Sequence, residues 1–173
     1  MPVPEAEAVV GPWLELYLPI WKLGVPAHVT LLFPFLTLDQ LDAAALADLR
    51  SLFAGTPSIR VTFAEVGQFP EVVYLAPEPR DWFTSLTRTL SDRFGLLPYG
   101  GLHAEVVPHL TVALHADRTA QAEIAAELRA LLPIETTVHD VWLMEEEQDG
   151  HWHRAATFPF GPLHPVGPVN AGR

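Results

Sequence analysis

Two short phrases carry the residues best suited to chemistry. The first is Pro26-Ala27-His28-Val29-Thr30-Leu31, and the second is Pro108-His109-Leu110-Thr111-Val112. Each sets a histidine and a threonine two positions apart, with apolar residues between and after. An unperturbed imidazole titrates near pH 6.5, so a pair can serve as general base and general acid at neutral pH. Phosphodiester cleavage needs such a pair. One imidazole takes a proton from the attacking oxygen, and the other gives one to the leaving oxygen. Hydroxyls beside them can donate hydrogen bonds to the phosphate oxygens where charge develops. A hydroxyl donor is neutral, so it binds phosphate without suppressing either imidazole. This chemistry requires no metal and no cofactor.

The elements around the phrases must place them in one cleft. In a β-strand, residues i and i+2 share a face, so His and Thr would project side by side from each strand. The histidines lie 81 positions apart, leaving room for one supersecondary unit between them and another after the second. Trp13 to Ile20 alternates and predicts a strand. Val29 to Phe35 is the first motif strand. Thr37 and Gln40 have the form of a capping box, and Leu41, Ala45, Leu49, Leu52 and Phe53 make one helical stripe. Ile59, Val61 and Phe63 alternate as a strand, Gly67 to Glu71 is a turn, and Val72 to Leu75 returns. A helix follows from about Pro79 to Phe94, closed by Gly95. The second unit repeats the order: a motif strand over roughly 107–114, a helix capped by Asp117 or Thr119 and carrying Ile124, Leu128, Leu131 and Leu132, a strand over 136–144, an acidic turn, and a return strand over 152–158.

With these motifs in view, the chain resembles the two-histidine (2H) phosphoesterase superfamily, in the branch of 2′-5′ RNA ligase-like and cyclic phosphodiesterase-like proteins. The resemblance rests on His28-Val29-Thr30-Leu31 and His109-Leu110-Thr111-Val112, within His-Val-Thr-Leu-Leu-Phe-Pro-Phe and Val-Pro-His-Leu-Thr-Val-Ala. It implies an α+β fold, bilobal and pseudo-two-fold, with two antiparallel sheets forming a central cleft and helices packed outside. The corresponding division is a single bilobal domain over 1–160, with lobes at about 13–76 and 96–160 and a Pro/Gly-rich tail over 161–173. The resemblance also implies metal-independent attack on 2′,3′-cyclic or 2′-5′ phosphodiesters. His28 and His109 become the acid/base pair, and Thr30 and Thr111 the phosphate ligands.

Composition narrows the partners. Charged residues make up 18% of the 173 residues and the net charge is −11, which opposes a broad grip on polyanions. Lys22, Arg60, Arg80, Arg88 and Arg93 are scattered and form no RNA track. This favours a small nucleotide or an RNA terminal phosphate over extended nucleic acid, and phosphodiesterase chemistry over ligation. No run reaches the roughly 18 apolar residues of a membrane span, no cationic leader precedes an apolar stretch, and cysteine is absent. A cytoplasmic monomer is expected.

Other residues are weighed for the cleft. Tyr99, in Pro98-Tyr99-Gly100-Gly101, and Phe33 are candidate substrate contacts; Phe69 and Trp152 are weaker ones. His151 and His153 have the spacing of two metal ligands, with Glu145 and Glu147 across the turn, but a solvated hairpin also accounts for them. The leading expectation is a hydrolase. The alternatives are a binding module that uses the same cleft to hold a nucleotide or RNA end, and a His-based metal hydrolase.

Overall fold

A computed structural model gives the structure of the protein and describes residues 1–103 and 105–163. Helices α1 (Pro4–Tyr17), α2 (Pro19–Lys22), α3 (Ala43–Ala54), α4 (Arg80–Phe94) and α5 (Arg118–Arg129) accompany six strands. The strands are β1 (Ile59–Phe69), β2 (Val72–Glu78), β3 (Leu110–Leu114), β4 (Ile134–Val138), β5 (Asp140–Glu146) and β6 (Trp152–Pro159). They form a four-stranded antiparallel sheet in the order β3-β2-β1-β4 and a two-stranded sheet of β5 and β6. The expected α+β architecture with two antiparallel sheets is therefore present.

Strand neighbours differ from unit-by-unit pairing. β3 and β4, from the second half, flank the β1–β2 hairpin of the first half. Alternation identifies a strand but carries no information about its neighbour. The run expected as one strand over 136–144 is two strands. It breaks at His139, where the chain passes from one sheet to the other and the His139 carbonyl accepts from Phe160 N–H at 2.7 Å.

Several local expectations are corrected. Trp13 to Ile20 falls in two helices, α1 and α2, that break at Leu18, and not in a strand. Pro4 opens α1, and Ala6, Val10 and Leu14 recur every four residues and are buried, a helical stripe that outweighs the short alternation. The first motif strand contracts to His28 and Val29, each in a single antiparallel bridge, to Pro2 and Leu110 respectively. Beyond it Pro34 lacks the N–H a ladder needs, and the chain runs irregularly to α3. The Thr37–Gln40 reach-back forms at 3.1 Å, yet the helix starts later, with Asp42 as N-cap accepting from Ala45 N–H at 2.8 Å. α5 is capped by Asp117, and it ends at Arg129, before Leu131, which is exposed. Within the expected tail, Gly161 is tied to the body: its carbonyl accepts from Ser58 N–H at 2.9 Å and from the Ser58 hydroxyl at 2.8 Å. Residues 164–173 lie outside the described residues.

The core joins both sheets. α1 packs on β3, α5 on β1, α4 on β2 and α3 on β6. Phe53 of α3 meets Phe158 and Phe160 at centroid distances of 5.7 and 5.8 Å. Among the described residues, no helix is long and apolar enough to cross a membrane.

Several bonds fix the first motif in place. Glu7 of α1 accepts from Trp21 Nε1–H at 3.0 Å and from Ala27 N–H at 2.9 Å. Val3 N–H donates to Ala27, and Val29 N–H to Met1. On the other side, the Thr87 hydroxyl of α4 donates to the Leu31 carbonyl at 2.9 Å in a buried contact. Thr87→Val keeps the shape but leaves that carbonyl without its buried donor. It should lower stability by about 1–3 kcal/mol, measured as a reduced denaturant midpoint with unchanged slope. An unchanged midpoint contradicts this role for Thr87.

Candidate active site

Both motifs share one face because of a single cross-strand pair. Val29 and Leu110 are antiparallel bridge partners, and both side chains are buried in the core. Opposed residues point to the same face and their neighbours to the other. One step either way sets His28 across from Thr111 and Thr30 across from His109. All four are half-buried, on the face away from the core. The structure thus brings together the four residues expected from the sequence, as a checkerboard of two imidazoles and two hydroxyls.

Each imidazole is oriented by the same local device. His28 Nδ1 donates to the carbonyl of Pro26 at 2.7 Å, and His109 Nδ1 donates to that of Val107 at 2.8 Å. A carbonyl only accepts, so the ring proton sits on Nδ1 and neutral Nε2 presents a lone pair. His28 Nε2 accepts from the Thr30 hydroxyl at 3.1 Å. His109 Nε2 has no partner among the hydrogen bonds of the described residues, and its ring instead meets Phe69 and Tyr74 edge-on, at 5.4 and 5.6 Å between centroids.

The surroundings favour neutral imidazoles. His28 is pushed down to about 4, chiefly because burial penalises its cation, and next because the α-amino group of Met1 lies near. The Pro26 carbonyl opposes this, and His109 adds a smaller downward push. His109 is also lowered by burial, against the pull of the Val107 carbonyl.

A cavity of about 950 Å³ opens beside His28 and Thr30, within the usual range for small-molecule sites. The loop and helix after the first motif wall one side, and β5 and β6 wall the other. Its lining is mostly apolar, with Arg50, Glu145 and Glu146 among the charged residues. Phe33, Tyr99 and Trp152 all line it. Tyr99 is held by its backbone: its N–H donates to the Phe33 carbonyl at 2.6 Å, and its φ of 53° is left-handed, an uncommon state for a bulky residue. Burial raises the Tyr99 phenol above its ordinary value. His109 and Thr111 lie outside this lining, on the side of Tyr74, which pairs with Thr111 across β2 and β3.

The remaining candidates sit elsewhere. His151 pairs with Asp149 at 3.2 Å, and His153 with Glu147 at 3.0 Å. His115 lies 3.5 Å from Glu71. Among the described residues, no group of three or more His, Asp or Glu side chains is placed to hold a metal ion. Sequence reading missed Glu7, because the helix that carries it was not expected, and Tyr74, whose importance depends on which strand lies beside it. The one available signal for Tyr74 was its place on the strand returning from the Phe69 turn.

The comparisons fit this geometry. Residues 2–150 match the family model described as the 2′-5′ RNA ligase superfamily. A Geobacillus kaustophilus (strain HTA426) protein named "Putative phosphoesterase GK0864" is 27% identical over 141 residues, covering 79% of this chain and 80% of that one. The crystal structure of TT0787 of Thermus thermophilus aligns with a TM-score of 0.58 at 19% identity, over 91% of this chain and 94% of that one. E. coli LigT complexed with 3′-AMP aligns with a TM-score of 0.55 at 18% identity, over 92% and 94%. LigT has also been crystallised with NADP+ and with ATP. The structural likenesses establish a shared fold.

A titration checks the electrostatics. Followed by NMR of the imidazole protons, His28 should protonate near pH 4 and His109 below the ordinary 6.5. An unfolded chain protonates His28 near 6.5. Between these values the unfolded state holds the extra proton, so His28 should remove stability as pH falls from about 6.5 to about 4. A His28 inflection at or above 6.5 contradicts the burial.

Proposed function

The chain belongs to the 2′-5′ RNA ligase superfamily, and we propose that it is a phosphodiesterase acting on 2′,3′-cyclic phosphates or 2′-5′ phosphodiesters of nucleotides or RNA ends. The observation that carries this reading is the checkerboard of His28, Thr30, His109 and Thr111 on one face, with both Nδ1 atoms committed to carbonyls. That arrangement leaves two Nε2 atoms for proton transfer and two hydroxyls for a phosphate.

On a 2′,3′-cyclic phosphate the steps follow from the asymmetry of the pair. His28, the more strongly neutral, takes a proton from water through Nε2 as the water oxygen attacks phosphorus. The bond from phosphorus to one ribose oxygen breaks. His109, protonated on Nε2, gives that proton to the departing oxygen, leaving a phosphomonoester. Thr30 and Thr111 hydroxyls donate to the non-bridging oxygens, where charge grows. To do so, Thr30 turns its hydroxyl from His28 Nε2 to the phosphate. A bound phosphate anion favours the His109 cation, offsetting part of its burial. Solvent exchange then resets both protons.

The cavity beside His28 supports a small substrate. Its apolar walls suit a base or another compact group, and Glu145 and Glu146 in its lining disfavour a polyanion. The binding of 3′-AMP, ATP and NADP+ by LigT, a protein of the same fold, agrees with a nucleotide-sized ligand.

Hydrolysis of a 2′,3′-cyclic nucleotide tests the assignment and separates it from a module that only binds. His28→Ala and His109→Ala should each lower kcat about 10²–10⁴-fold, and a full rate in either folded variant removes the proposal. Turnover should persist in EDTA; its loss there, restored by added metal, selects the metal-hydrolase alternative. The profile of kcat/KM against pH should be a bell with its maximum on the acid side of 6.5. Its acid limb reports His28, active when neutral, and its alkaline limb reports His109, active when protonated.

A further inference from the structure

The two imidazoles are held differently, and the difference points to residues that no motif marks. His28 is fixed at both ring nitrogens, by Pro26 and by Thr30. His109 is fixed at Nδ1 alone, by Val107. One such bond leaves the ring free to rock about it. What limits that motion is a pair of aromatic rings. Phe69 stacks on Tyr74 with centroids 4.3 Å apart and planes 25° apart. Both present themselves to the His109 ring in T-shaped contacts, with interplanar angles of 89° to Phe69 and 65° to Tyr74. These are favoured aromatic geometries.

The position of Tyr74 depends in turn on Gly67. Gly67 and Tyr74 are cross-strand partners on β1 and β2. The phenol end of Tyr74 passes over Gly67, where any Cβ would clash with its Cζ, Cε2 and hydroxyl oxygen. Gly67 carries no left-handed φ, so it is needed for space and not for backbone freedom. The next partner across β2 and β3 is Thr111, so Gly67, Tyr74 and Thr111 form one row beside His109. The Tyr74 hydroxyl makes no hydrogen bond among the described residues, which leaves the ring as the working part.

We propose that Tyr74, seated on Gly67 and backed by Phe69, is a positioning residue that holds the His109 imidazole in the plane from which it transfers its proton. The inference rests on the phosphodiesterase reading, in which His109 acts on substrate. A Cβ at position 67 lifts the Tyr74 ring, and the lifted ring no longer bounds His109. The imidazole then gains both solvent and freedom to rock, and Nε2 leaves the line of the departing oxygen.

The test uses 2′,3′-cyclic AMP turnover together with NMR titration of both histidines. Gly67→Ala should lower kcat about 10²-fold, the size of effect expected from a misplacement near 1 Å, with KM nearly unchanged. The His109 inflection should rise toward 6.5 as its cover opens, while that of His28 stays in place. Tyr74→Phe should keep the wild-type rate, and Tyr74→Leu should match Gly67→Ala. The double variant Gly67→Ala/Tyr74→Leu should be no slower than Tyr74→Leu alone, because the ring that the Cβ displaces is gone. A folded Gly67→Ala protein with an unmoved His109 inflection overturns the proposal, whether or not the chosen nucleotide is turned over. Should Gly67→Ala fail to fold, Phe69→Leu carries the same expectations and the same power to overturn. His109→Ala separates the two levels. An active His109→Ala protein removes the function itself. An inactive one, alongside wild-type rates in Gly67→Ala and Phe69→Leu, removes only the positioning role.

Discussion

The site depends on the pairing of Val29 with Leu110. Both side chains are buried, so the hydrophobic effect holds the two motif segments side by side at this point. Alternation along extended chain then forces their neighbours outward together. His28, Thr30, His109 and Thr111 converge because the residues between them are apolar. The motif's apolar positions are therefore part of what builds the candidate site: a polar residue at 29 or 110 would remove the force that registers one histidine against the other. Glu7, Thr87 and the backbone of residues 1–3 hold the first segment in that register, where a regular strand is missing.

Near symmetry of sequence coexists with asymmetry of environment. Each histidine uses Nδ1 on the carbonyl two residues before it, so each imidazole starts in the same tautomer. Their remaining neighbours differ. His28 sits against Thr30, the α-amino group of Met1 and an apolar cavity, while His109 sits against two aromatic rings. Two carriers with the same intrinsic affinity for a proton are thereby separated, and acid/base catalysis requires such a separation. Under the proposed function, the net negative charge and the apolar cavity would act in the same direction on substrate choice. In that function, binding would rely on shape and on neutral donors to phosphate, with little help from long-range attraction.

The four candidate site residues were legible because their chemistry is local: a histidine, a spacer and a threonine need only two-residue alternation to be read. α4 and its Gly95 stop, a cap at Asp117 or Thr119 and the β1–β2 hairpin were legible for the same reason, each resting on contacts within a few residues. Where the reading failed, distance was the cause. Trp13 to Ile20 alternates over a short window, and the helical stripe of Ala6, Val10 and Leu14 begins before it. The strand expected over Val29 to Phe35 shrinks to single bridges at His28 and Val29, whose partners Pro2 and Leu110 lie far along the chain. The run 136–144 splits because its two ends are wanted by different sheets, and no local pattern records that demand.

The sequence by itself determined the candidate reacting groups, the two-residue spacing of each histidine and threonine, and the net charge of −11. These follow from residue type and from the period of an extended chain. Only the tertiary structure decided that the second-half strands enclose the first-half hairpin. Only it seated Tyr74 over Gly67 and against His109, and gave the two imidazoles unequal cover. Burial and cross-strand neighbours depend on which segments meet, and residues far apart along the chain do not announce their meeting in their own local pattern.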